Sequence, residues 1–129
     1  MINIDEIISL STQKKDVEKR LSLMADKSTL TDLSLIKTIY ENHFRSAGND
    51  RNNRLSFVFV ILLLYDPSFF AKGRIKRGLR KEIAKCLSVN AETVVSNYSA
   101  FLLWEYEHYT DFKQNVTNIY NNVYAELIA

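Results

Sequence analysis

Between Lys72 and Lys85 the chain carries Lys72, Arg74, Lys76, Arg77, Arg80, Lys81 and Lys85 against one acid, Glu82, a local charge of +6. The whole chain has 17 Lys and Arg against 15 Asp and Glu, net +2, so the remainder sums to −4. Clustering of this kind is the footprint of polyanion binding, in which ammonium and guanidinium groups displace the counterions of a phosphate backbone. Neutralising six phosphates makes affinity fall with salt at a log-log slope of about −5. The same charges also suit RNA, an acidic protein or solvent alone.

The residues from Gly78 to Tyr98, GLRKEIAKCLSVNAETVVSNY, overlap this basic run and have a spacing of their own. With Arg80 to Leu87 helical, Ile83, Ala84 and Leu87 share one face, and Ala84 is small enough for a second helix to cross closely. Val89 plugs the turn, Asn90 caps the next helix with Thr93 three residues on, and Val94 and Tyr98 lie four apart on that helix's inner face. Two helices joined by so short a turn cross steeply, the geometry that admits the second to a DNA major groove.

The run EIAKCLSVNAETVVS resembles the helix-turn-helix pattern of DNA-binding regulators of bacterial or phage and mobile-element type, with Ile83, Ala84, Leu87, Val89, Asn90, Thr93 and Val94 in register over about twenty residues. Two positions depart from it. Ser88 stands where the family usually has Gly, a position that often needs positive φ. Asn97 takes a place that is usually apolar, which hands that packing to Tyr98.

The resemblance implies a non-catalytic protein that grips double-stranded DNA. Lys72, Arg74, Lys76, Arg77, Arg80, Lys81 and Lys85 would hold phosphates, and Asn90, Thr93, Ser96 and Asn97 would face bases. From Cys86 through Thr110, however, there is no Lys or Arg, while Glu92, Glu105 and Glu107 are acidic. The basic segment therefore does most of the holding, or the helical unit serves protein contacts instead. In outline the chain is also similar to small phage terminase subunits, which implies an assembly protein as the competing reading.

Other chemistries find little support. His43 and His108 have no partner at metal-ligand spacing, and Glu105, Glu107 and His108 read as a polar surface. Cys86 reads as a packed thiol within the first motif helix. Gly73 and Gly78 lack the strand and the Lys-Ser or Lys-Thr ending of a phosphate-cradling loop. No catalytic residue, metal or cofactor is expected. Tyr98, Phe101, Leu102, Tyr106 and Tyr109 form a stripe that suits a core better than stacked bases, and Trp104, off that stripe, is the aromatic best placed to touch a partner.

The elements that must position these residues are helices, since the chain has one Pro and three Gly. Helices are expected over residues 5–10 and 12–25, with Ile7, Ile8, Val17, Leu21 and Met24 apolar, and over Leu33 to Phe44, ending near Gly48. The polar stretch Ser46 to Arg54 reads as a linker. LSFVFVILLLY, residues 55–65, is β-branched and aromatic but has no partner strand, so it is expected as a buried helix. At eleven residues it is well short of the roughly twenty needed to span a bilayer.

Asp66-Pro67-Ser68 ends that helix, and the second motif helix is expected to run on toward Tyr109. A last helix after Thr110 or Asp111 aligns Phe112, Val116, Ile119, Tyr120, Val123 and Leu127, either to dock on the core or as the seam of a homo-oligomer. The expected fold is one all-α domain over residues 1–129. It has an N-terminal helical pair (1–48), then residues 54–129 with a central helix, a helix-turn-helix at 78–100 and a long C-terminal helix. A lone Cys and acidic N-terminal residues point to the cytoplasm rather than to secretion.

Overall fold

The computed structural model describes residues 5, 13–16, 30–48, 50–67, 69–88 and 92–128, with the backbone alone at 47, 71, 72, 92–94 and 128. Residue 5 and residues 13–16 are helical; the rest of the expected first two helices lies outside the described residues. From there the order is α1 (Leu35–His43), a 3₁₀ turn (Arg45–Ala47), α2 (Arg51–Tyr65), α3 (Phe69–Lys72), α4 (Leu79–Cys86), α5 (Glu92–Ser99), α6 (Leu102–His108) and α7 (Thr110–Ile128). Among the described residues there is no strand, and the fold is all-α with a long C-terminal helix.

The centre is α2. Leu55, Phe57, Val58, Val60, Ile61 and Leu62 are fully buried on every side of it, the mark of a helix wrapped by others rather than lying on a surface. It packs against α7, α5 and α4, while α1 packs against α4 and α7. Among the described residues no strand offers a ladder to its backbone groups, so the alternative strand has nothing to pair with.

The polar stretch before α2 is not a linker. Asp50 caps the helix, its carboxylate accepting from the Asn53 backbone N–H at 2.7 Å, and Arg51 to Arg54 already form the first turn. The buried Asn53 amide donates to the Phe44 and Gly48 carbonyls at 2.8 and 2.7 Å, closing the corner between α1 and α2. Gly48, at φ 96°, supplies the left-handed step in that corner. Polarity here satisfies backbone groups inside the corner.

Phe59 is the joint that places the segments carrying the charged and apolar surface. Its ring lies 5.1 Å from Phe70 after α2, stacks on Tyr106 of α6 at 5.3 Å and meets the edge of Phe112 of α7 at 5.8 Å. Phe112, Val116 and Val123 bury the inner face of α7 against the core, with Ile119 and Tyr120 half-buried beside them, and Leu127 is exposed. The apolar face of the last helix therefore docks within the chain.

Candidate nucleic-acid interface

The basic segment begins where α3 ends, and two contacts fix its path. Gly73 turns at φ 74°, and the Lys76 backbone N–H donates to Asp66 Oδ2 at 2.8 Å, tying the loop back to the end of α2. Between these points Ile75 is half-buried, whereas Arg74, Lys76 and Arg77 are exposed. Gly78, in the left-handed region at φ 87°, then opens α4.

On α4 the sequence periodicity is realised. Leu79, Ile83 and Ala84 are buried, followed by Leu87, and Arg80, Lys81 and Lys85 are exposed. The helix ends at Cys86, and Ser88, two residues on, takes the left-handed conformation at φ 56°. Val89 and Asn90 lie outside the described residues.

The second motif helix is α5. Its inward residue is Val95, fully buried, and it packs on α4, where Ala84 is buried too. Asn97 is exposed, and Tyr98, half-buried, takes up the packing beside it, its hydroxyl accepting from Arg54 Nη1 of α2 at 3.1 Å. Thr93 lies in α5, but its side chain, like those of Val94 and Lys72, is outside the described residues.

The helix does not run on to Tyr109. It stops at Ser99, turns through Ala100 and Phe101, and restarts as α6. Ser99 Oγ donates to the Ser96 carbonyl at 2.8 Å, and the Phe101 N–H bonds Tyr98 at 3.1 Å, a three-residue spacing that tightens and ends the helix. In consequence the stripe divides: Leu102 is buried and Tyr106 half-buried, but Phe101 and Tyr109 face outward.

Arg80 Nη1 donates to Ser96 Oγ at 3.0 Å, bridging α4 and α5. Together with Arg74, Ser99, Ala100 and Leu103 they line an open groove of about 550 Å³, floored by Phe69, Phe70 and Ile75. Arg74, Arg80 and Ser96 are thus brought to one place. Lys85 is not: it pairs with Glu82 at 3.3 Å and lines a separate depression with Lys37, Glu41, Arg45 and Cys86.

Of the residues expected as polar surface, Glu105 is buried instead. Glu105 is only 5% exposed and accepts from Arg51 Nη1 at 3.0 Å, joining α6 to the start of α2. His43 meets Glu126 at 2.8 Å, and His108 Nδ1 meets the Trp104 carbonyl at 2.8 Å. Among the described residues no three His, Cys, Asp or Glu come together to hold a metal, and no helix is long and apolar enough to cross a membrane. Cys86 is half-buried; burial first, then Glu82 and Glu41, push its thiol pKa up, which suits packing rather than nucleophilic attack.

Comparison of the chain with protein-family models, with curated proteins and with solved structures finds no match.

Proposed function

We propose that this chain is a non-catalytic, helix-turn-helix DNA-binding protein of the kind found in bacterial or phage and mobile-element regulators, acting in the cytoplasm. The observation that carries the reading is the Arg80–Ser96 bridge. It joins α4, which carries Arg80, Lys81 and Lys85, to α5, and Arg74 lines the same groove. Arg74, Lys76, Arg77, Arg80 and Lys81 supply the phosphate contacts, and Ser96 and Asn97, with Asn90 and Thr93, supply the side chains nearest to bases.

Few of those base-facing groups are bidentate readers, so backbone charge contributes most of the affinity. The discriminating experiment is the Arg77→Glu, Lys81→Glu double variant. It abolishes duplex binding on this reading while leaving the helical fold intact by circular dichroism.

A second reading, an assembly protein that uses its helices for protein contacts, is favoured by one observation. Phe101, Leu103, Trp104 and Tyr109 are large, apolar and exposed. On that reading the same charge reversal leaves function untouched, and substitutions on α6 remove it.

A further inference from the structure

The groove beside the Arg80–Ser96 bridge holds more than phosphate contacts require. Its cations are Arg74, on the loop after α3, and Arg80 on α4, and among the described residues no Asp or Glu lines it. Much of the remaining lining is apolar. Phe70 and Ile75, both half-buried, form the floor, and Leu103 of α6, 45% exposed, is part of the wall. Packing fixes the floor, since the Phe70 ring lies 5.1 Å from Phe59 and 5.4 Å from Phe69. Ser96 Oγ steadies Arg80 at 3.0 Å. At about 550 Å³ the groove has the size of a small-molecule site, which combines an apolar lining with a few convergent polar groups. A duplex accounts for the arginines but not for the floor, because its phosphodiester backbone has no apolar body to cover Phe70, Ile75 and Leu103.

We propose that this groove binds a small organic anion, a carboxylate carried on an aryl or alkyl body. Charge complementarity selects the occupant. The carboxylate meets the guanidiniums of Arg74 and Arg80, whose paired N–H donors match its two oxygens. Its body covers Phe70, Ile75 and Leu103 and removes their apolar surface from water. Neither part suffices alone. A neutral apolar molecule desolvates two cations without pairing them, and a bare anion leaves the floor wet. A bound anion also occupies two of the cations assigned to phosphate, so it competes with the duplex. That competition rests on the DNA-binding reading, whereas the site itself does not.

The probe is naphthoate, titrated into the full chain without DNA at constant pH and ionic strength and followed by amide N–H chemical shifts. A ligand of about a dozen heavy atoms is expected to bind with a Kd of about 0.1–1 mM. The shifts concentrate at Ser96, Ala100 and Leu103 rather than at Lys37 and Glu41, which line the separate depression. Acetate has the charge without the body, and naphthylmethylamine has the body with the opposite charge; each binds at least about tenfold more weakly. Arg74→Gln, at an exposed loop position, lowers naphthoate affinity at least about fivefold with unchanged circular dichroism, and Lys85→Gln leaves it unchanged. Saturating naphthoate lowers the duplex affinity of the parent at least about fivefold. No shifts by about 10 mM naphthoate, equal binding of the amine, or shifts centred on Lys37 and Glu41 overturn the site. Naphthoate binding with duplex affinity unchanged overturns the competition alone. A parent that binds naphthoate but no duplex overturns the DNA-binding reading and the competition with it, and supports the site.

Discussion

Arg80 on the first motif helix donates to Ser96 on the second at 3.0 Å, so a residue expected to hold phosphate and one expected to face bases are hydrogen-bonded to each other. The two therefore act as one unit, and their substitutions should differ in kind. Arg80→Ala removes one phosphate contact, lowering duplex affinity about fivefold and reducing the salt slope by about 1. Ser96→Ala keeps the cation and changes affinity for a random duplex less than about twofold. Equal losses in the two variants, measured by fluorescence anisotropy, would contradict a phosphate contact that Arg80 makes without Ser96.

Ser88 holds φ 56° at the turn between α4 and the segment leading to α5. A side chain in this conformation costs about 1 kcal/mol, part of which the greater freedom of Gly in the unfolded chain offsets. Ser88→Gly is expected to stabilise the fold by about 0.5 kcal/mol, and Ser88→Val to destabilise it by about 1–2 kcal/mol, in urea titrations. A Gly variant less stable than the parent would mean that the Ser hydroxyl holds the turn.

Glu105 is buried with Arg51 as its ion-pair partner at 3.0 Å, and Arg51 itself is about half exposed, its side chain at 56%. Removing the cation leaves a buried carboxylate without that partner. Arg51→Ala is therefore expected to lower stability by about 2 kcal/mol, the lower end for a broken buried pair because solvent reaches the arginine. Adding Glu105→Leu to Arg51→Ala should restore part of the loss, since the stranded charge is gone. A double variant less stable than Arg51→Ala alone contradicts this assignment.

The Tyr65 hydroxyl donates to the Asp32 carbonyl at 2.7 Å, anchoring the residues before α1 to the end of α2. Burial first, and then the Asp32 carboxylate, push its pKa from 10.0 up to about 12. Because the folded state keeps the proton longer than the unfolded chain does, the contribution is fully present below pH 10.0 and is lost as pH rises through about 12. Urea midpoints of the parent should therefore fall between those pH values more steeply than those of Tyr65→Phe. Identical pH profiles would contradict this role for Tyr65.

What periodicity encodes was readable in the chain. Ile83, Ala84 and Leu87 share a face at helical spacing, and all three are buried; the run from Leu55 to Tyr65 had no partner strand and is a helix. The Gly-to-Ser departure at Ser88 marked a left-handed residue, because the turn and not the side chain sets that dihedral. Contacts between distant segments were not readable. Glu105 looked like surface because its partner Arg51 is 54 residues away, and Asn53 looked like linker although its amide closes a buried corner. The break at Ala100 was hidden for a different reason. Tyr98, Leu102 and Tyr106 keep helical spacing across it, while the interruption comes from local bonds of Ser99 and Phe101.

The most direct test is fluorescence anisotropy of a labelled random-sequence duplex, titrated with the parent and with the Arg77→Glu, Lys81→Glu variant at two salt concentrations. Binding by the parent that weakens with a log-log slope of about −5, and its loss in the variant, is the predicted result. No binding at low salt, or binding that survives charge reversal, contradicts the DNA-binding reading and leaves the two motif helices as a unit for protein contacts.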